Sequence, residues 1–241
     1  MSNVLSSAIE VSFLLPIHNE SECLKRNLSA LNSRVSSLLK KQTYEIIVID
    51  NGSDDSTSQQ TLENLQINQK IQLISIREKG RGPAIRKGCE KARGKYICIL
   101  SIDRSWSEEF IPTALALCQQ GNDVVYGPKS HPQSIVTRPW VRKVASQIIR
   151  VGVALLFRIS PQDTQCIKMF RKDRVKFLSS LMDCNYFAET EFFLRARYCG
   201  LKSVSIPVKV FDKRKESKVK LHSIIEFFYE ALRFKQIMNQ T

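Results

Sequence analysis

Three stretches of the chain share one pattern, an uninterrupted apolar run that stops abruptly at acidic or polar residues. They are VSFLLPIHNE (Val11 to Glu20), YEIIVIDNGSDDS (Tyr44 to Ser56) and KYICILSIDRS (Lys95 to Ser105). Continuous rather than alternating hydrophobicity is what parallel strands covered by helices on both faces require. Strand and helix then alternate along the chain, the order of a helix-covered, largely parallel sheet. The pattern predicts strands near 11–16, 45–50, 71–76, 95–101, 123–127, 167–171 and 203–211. It predicts helices near 20–40, 56–66, 82–93, 107–120, 138–158, 173–183, 189–199 and 220–237. Ser53 to Ser56 offers N-cap chemistry to the second helix. Gly94 and Gly200 stand just past two helices, where a left-handed residue is expected. The stretches 128–138 and 212–218 read as basic loops.

With 241 residues and 43% apolar content, one sizeable core and a single α/β domain are expected rather than two domains. No internal repeat or low-complexity tract is visible. The formal net charge of +14 favours polyanionic partners: nucleic acid, anionic headgroups or phosphorylated substrates. Seven cysteines without a C-x-x-C read as reduced, mostly buried thiols in a cytoplasmic protein. His18, His131 and His222 are too scattered for a zinc site. The first residues do not read as a secretory leader, and no run approaches the roughly 18 apolar residues of a spanning helix. Contact with a membrane is therefore expected to be peripheral.

In an open α/β sheet, ligands bind outside the carboxyl ends of the strands, where these acidic clusters fall. Carboxylates there suit a divalent metal, ribose hydroxyls and base edges. Asp50 to Asp55 reads either as a ligand-contacting turn, with Gly52 admitting close approach, or as an ordinary Asp/Gly turn. Lys79 to Gly88 is a glycine-containing turn entering a basic helix. It lacks a dinucleotide fingerprint because Ile85 replaces the third glycine. Arg81 and Arg86 there either meet an anion or form a solvated basic face. Glu189 and Glu191 suit a first helical turn on dipole grounds alone.

As an ordered set, P-I-H-N-E (16–20), V-I-D-N-G-S-D-D-S-T (48–57), K-G-R-G-P-A-I-R-K-G (79–88), A-R-G-K-Y-I (92–97) and S-I-D (101–103) resemble family 2 inverting glycosyltransferases. D-T-Q-C (163–166) before K-M-F-R, F-A-E-T-E-F (187–192), G-L-K-S-V-S-I-P-V (200–208) and S-K-V (217–219) look like the dolichyl-phosphate mannose synthase and polyprenyl-phosphate glycosyltransferase branch. The resemblance implies a GT-A (Rossmann-like) fold with a mixed, mostly parallel sheet flanked by helices. It implies a nucleotide-sugar half (10–105), an acceptor half (106–219) and a C-terminal amphipathic helix (220–241). Pro16, His18, Glu20 and Asp50 would line the nucleoside pocket, with Arg81 on the donor side. Asp103 would be the surviving metal carboxylate of a D-x-D motif. Asp163 and Gln165 would sit beside donor sugar and acceptor, and Glu189 and Glu191 would match the family's acidic pair. Lys129 would orient the acceptor, and Arg214, Ser217 and Lys218 would hold phosphates. Three positions depart from the pattern: Ser101 replaces the first acid of D-x-D, Ser105 stands where Gln is frequent, and only Ile167 separates D-T-Q-C from its basic residue.

The implied activity is transfer of a sugar from a nucleotide diphosphate donor to a polyprenyl or dolichyl-type lipid phosphate, with a weakly bound Mg²⁺ or Mn²⁺ as cofactor. A glycan or other non-lipid acceptor is one alternative, and a degenerate GT-A-like binding subunit another. A nucleic-acid partner is not expected, because helix-turn-helix, RRM and zinc-finger signatures are lacking. In 138–158, Trp140, Val144, Ile148, Val151 and Leu155 share one face, with Arg138, Arg142, Lys143, Arg150 and Arg158 around it, as in an interfacial helix. The C-terminal segment repeats the pattern with Leu221, Ile224, Ile225, Phe228 and Leu232, and packing on the sheet is its other reading. The expected location is the cytosolic face of a membrane, bound to anionic lipid or to a membrane-anchored partner.

Overall fold

The computed structural model describes residues 8–55, 70–137, 139–159, 163–181, 184–211 and 221–240. The first half runs β1 (Val11–Ile17), α1 (Ser21–Leu38), β2 (Tyr44–Asn51), β3 (Ile71–Ile76), α2 (Arg81–Lys91), β4 (Tyr96–Ile99) and α3 (Phe110–Gln119). The second half runs β5 (Val124–Gly127), β6 (Ile135–Thr137), α4 (Trp140–Phe157), β7 (Ile167–Arg171), a 3₁₀ turn (Lys176–Ser180), α5 (Ala188–Tyr198), β8 (Ser203–Ser205), β9 (Lys209–Phe211) and α6 (Leu221–Asn239). The main sheet has the order β3-β2-β1-β4-β7-β5-β8, and β6 and β9 form a separate parallel pair. Within the main sheet β7 is antiparallel to both neighbours, while the other pairings are parallel.

Every residue of β1 and β2 is buried, which is why their apolar runs are unbroken. Successive side chains enter different cores. Phe13, Leu15, Ile46 and Val48 pack with Leu24, Leu28 and Ile111 on one face. Leu14, Ile47 and Ile49 pack with Ile85, Phe170 and Phe192 on the other. Each such side chain contributes about 1.5–3 kcal/mol by leaving water. A third cluster joins α4, α5 and α6 around Phe187, Phe227 and Phe234. Five of the seven cysteines are buried and all are free thiols.

Four expectations are corrected. The helix foreseen at 173–183 is a five-residue 3₁₀ turn. Leu178 within it and the flanking Val175 and Leu181 are buried at three-residue spacing, the period of a 3₁₀ helix. The strand foreseen at 203–211 is split around Pro207 into β8 and β9, which join different sheets. The basic loop 128–138 contains β6, too short to show a periodicity. Gly200 has φ of 66° as expected, but Gly94 is not left-handed. It is glycine for space: a Cβ there would lie 2.5 Å from the Ser12 nitrogen, and its N–H donates to Ser12 Oγ at 2.8 Å. The helix expected at 56–66 and its Ser56 cap lie outside the described residues.

The sheet separates structure from chemistry by its two ends. At the amino ends of β1 and β2, buried Glu45 accepts from Ser12 Oγ (2.7 Å), the Arg93 N–H (2.7 Å) and Arg93 Nε (2.9 Å). The A-R-G of the A-R-G-K-Y-I motif is thus a brace at the amino ends of the strands, opposite the ends where open α/β sheets bind ligands. At the other end, the carboxyl termini of β1, β2, β4 and β5 open together. The start of β7 joins them, because Lys168 pairs with Ile99 and Ile167 with Gly127.

Candidate active site

At the open end of the sheet, Ile17 of β1 stands in register with Asp50 of β2. The loops that follow are stitched to each other. The Asn19 N–H donates to Ser53 Oγ at 2.9 Å, and Asn19 Oδ1 accepts from the Asp54 N–H at 3.0 Å. Asn19 has φ of 52°, a conformation asparagine tolerates better than most residues. Asp50 Oδ1 accepts from the Ser53 N–H at 3.1 Å, and Asn51 Nδ2 donates to the Gly80 carbonyl at 3.1 Å. The stitch leaves His18 exposed and Glu20 partly exposed at the strand ends, while Asp50 is mostly buried. Pro16 is buried inside β1 opposite Ile49 and offers little surface to a ligand. It is tolerated because the β4 ladder has ended: Leu14 is the last β1 residue paired to β4.

After β4 the chain turns at Ser101 to Ser105. Asp103 Oδ1 accepts from the Ser105 N–H at 3.1 Å, and Asn27 Nδ2 donates to the Ile102 carbonyl at 3.0 Å. Asp103 is partly exposed at this end of the sheet. Among the described residues, no group of three or more His, Cys, Asp or Glu gathers as a metal cage. The donor set therefore fits an ion that takes most of its oxygens from substrate and water, and does not fit one held by protein alone.

Near the end of β5 and the start of β7, charged groups are densely paired. Lys129 donates its backbone N–H to Asp163 Oδ2 at 2.9 Å, and its Nζ lies 3.2 Å from the same oxygen. The Nζ also donates to the Gln165 carbonyl at 2.6 Å and sits 4.8 Å from the Trp106 ring centre. Gln165 Nε2 donates to the Tyr186 carbonyl at 3.1 Å. Thr164 and Thr190 hydroxyls, 2.7 Å apart, bind this segment to α5. Glu189, in the first turn of α5, is buried between Arg81 Nε at 2.5 Å and the ammonium of Lys168. Burial pushes the Glu189 carboxyl up, but Arg81, Lys168 and Lys129 together hold it below the usual carboxylate range. It is an anion at neutral pH and keeps Arg81 at the strand ends.

Glu191 is placed differently. It is fully buried, accepts from Arg195 Nε at 2.7 Å and lies near the Cys184 thiol, without a surface on the open end of the sheet. Lys168, Asn19 and Asn51 were not among the residues selected from sequence. Lys168 was detectable as a lone cation inside an apolar strand, which requires a buried partner. Arg214, Ser217 and Lys218 lie outside the described residues.

A cavity of about 260 Å³ adjoins Lys129 and Asp163, walled by Ser134, Lys143, Ser146 and Arg150 from β6's approach and α4. The buried Nε–H of Arg150 has no hydrogen-bond partner among the described residues. A larger cavity of about 560 Å³ lies between α2 and the 3₁₀ turn, around Arg86, Lys172 and Val175. It contains Arg86, whereas the smaller one borders Lys129 and Asp163.

The family model described as glycosyl transferase family 2 matches residues 12–178. The chain belongs to glycosyl transferase family 2. Within the family, it is 26% identical over 220 residues to Glycosyltransferase AglD of Haloferax volcanii, covering 90% of this chain and 35% of that protein. It is 28% identical over 228 residues to the undecaprenyl-phosphate 4-deoxy-4-formamido-L-arabinose transferase of Proteus mirabilis, covering 92% of this chain and 67% of that protein. The family 2 chain thus spans 35% of the first relative's length and 67% of the second's. Its fold is similar to glucosyl-3-phosphoglycerate synthase of Mycobacterium tuberculosis, solved with Mn²⁺, UDP-glucose and phosphoglyceric acid. The TM-score is 0.68 at 16% identity, over 95% of this chain and 80% of that one. The mixed, mostly parallel sheet is therefore the GT-A fold expected from the motifs.

Proposed function

We propose that this family 2 chain moves a sugar from a nucleotide diphosphate donor to a polyprenyl or dolichyl-type phosphate, inverting the anomeric carbon. The observation that carries the acceptor half is the cavity beside Lys129, where Lys143 and Arg150 face a space bordered by Asp163. An unpartnered, buried guanidinium N–H beside two ammonium groups suits a phosphate, which accepts such bonds strongly. The relative named for undecaprenyl phosphate supports the same acceptor class.

The acceptor phosphate is already an anion near neutral pH, so the reaction needs no strong general base. The harder tasks are aligning two phosphorylated reactants and stabilising the departing nucleotide diphosphate. His18, Glu20 and Asp50 serve the nucleoside, and Asp163 and Gln165 border the sugar. Arg81, held by Glu189, meets developing charge on the diphosphate, with Arg214, Ser217 and Lys218 assigned to phosphates by resemblance. A divalent ion, when bound, would supply further charge neutralisation there, and Asp103 would hold it with the diphosphate oxygens and water.

The acceptor's lipid places the chain at a membrane surface, and α4 supports this. Trp140 and Leu155 are 73% and 75% exposed, and Val144, Ile148 and Val151 on the same face are also exposed. On α6, Ile225 and Leu232 are exposed as well. Contiguous exposed apolar faces of this kind mark protein or membrane contacts. Arg142, expected on the rim of this face, is buried instead. No described helix is long and apolar enough to cross a membrane.

A thermal-shift screen of UDP-, GDP- and other nucleotide sugars, with and without Mn²⁺, tests the donor half. A bound donor at a hundred times its dissociation constant stabilises by about 2.7 kcal/mol, and a screen without any shift would refute the reading. A second reading, donor binding without turnover, rests on Ser101 in place of the first D-x-D acid.

A further inference from the structure

We propose that Glu230, on the C-terminal helix, is a positioning residue for the transfer reaction; the inference rests on the transferase reading above. The Glu230 carboxylate accepts from three consecutive backbone N–H groups, those of Asn185 (2.8 Å), Tyr186 (3.0 Å) and Phe187 (2.8 Å). Some 44 residues separate donor from acceptor, so this is a tertiary clamp rather than a local cap. The three bonds are charge-assisted and roughly twice as strong as neutral ones.

The clamped turn is where three parts of the site meet. Just before it, the Cys184 carbonyl accepts from the Gly82 N–H at 2.9 Å and so fixes the first turn of α2, which carries Arg81. Within it, the Tyr186 carbonyl receives Gln165 Nε2. Just after it begins α5, whose first turn aims Glu189 at Arg81 and Lys168. Phe187 anchors the turn from below, 5.4 Å from the Phe227 ring on the same helix as Glu230. Apolar packing fixes the depth of the turn, whereas Glu230 fixes the orientation of its peptides. The C-terminal helix is thereby part of the apparatus that holds Arg81, Gln165 and Glu189 in one constellation.

The test compares full-length wild type with Glu230→Ala and Glu230→Gln, using UDP-glucose and GDP-mannose as donors and undecaprenyl phosphate in anionic vesicles as acceptor. Amide hydrogen exchange at 185–187 is followed in parallel. Misplacing reactive groups by an ångström costs about 10²-fold in rate. Glu230→Ala should therefore lower kcat by about that factor, leave donor KM nearly unchanged and expose the 185–187 amides to exchange. Glu230→Gln, which keeps an acceptor oxygen, should recover most of the rate and the protection. Unchanged kcat in a folded Glu230→Ala protein overturns the proposal, as does lost rate with unchanged exchange at 185–187. If the alanine variant does not fold, wild-type kcat together with lost protection in Glu230→Gln overturns it. Absence of transfer by wild type counts against the transferase reading, and is told apart because exchange at 185–187 still tests the clamp: unchanged protection in folded Glu230→Ala overturns it.

Discussion

At the scale of single residues, Glu189 is the pivot between the two halves of the site. Removing one member of a buried ion pair leaves the other uncompensated, which costs about 3–5 kcal/mol. Glu189→Ala should therefore lower stability by roughly that amount, read by chemical denaturation, because Lys168 stays fully buried. The same group sets an acid limit. Its folded-state pKa is lowered, so its contribution to stability is complete above the ordinary glutamate range and is lost as pH falls through the depressed folded value. Wild type should lose stability on acidification in that window, and Glu189→Gln should show a flatter profile there. Asp103→Asn should cut transfer by about 10²-fold with the fold intact, and Ser101→Asp should tighten the dependence on Mn²⁺. If Asp103→Asn changes neither donor affinity nor turnover, the site is degenerate. At this scale the sequence was legible where charge is anomalous. The acids at strand ends stood out, whereas Asn19 and Asn51 did not, because their work is done through bonds to backbone and hydroxyl groups brought close only by folding.

At the scale of elements, the site depends on how α5 is seated. Phe187 is fully buried among Phe157, Phe227 and Phe234. Truncating it to alanine should cost about 3–5 kcal/mol of stability, measured by urea denaturation. Strands β1, β2 and β4 were readable because each buries both faces in different cores, which makes its run continuous. Three-residue β6 and β9 carry no such signal, and Pro207 alone did not reveal that β8 and β9 belong to different sheets. The amphipathic pattern of α4 was readable too, but pattern could not say which cations face water. Arg142 lies on the buried side of the helix, where its neighbours Ala145 and Val153 are also buried.

At the scale of the whole molecule, a charge of +14 and an exposed apolar face on α4 act together. In the proposed peripheral attachment, electrostatics would draw the protein to an anionic surface, and Trp140 and Leu155 would then leave water. Sedimentation with anionic liposomes should decrease as salt rises, since the Debye length shortens to about 10 Å at 0.1 M. Trp140→Glu with Leu155→Glu should weaken it further at every salt concentration. Which acceptor takes the sugar is decided by a partition experiment. Radiolabelled nucleotide sugar is incubated with the protein and a mixture of undecaprenyl phosphate and soluble glycans, and the label is partitioned between organic and aqueous phases. The account predicts label in an organic-extractable, mild-acid-labile product, strongly reduced in Lys129→Ala. Label appearing only in water-soluble glycan would contradict it.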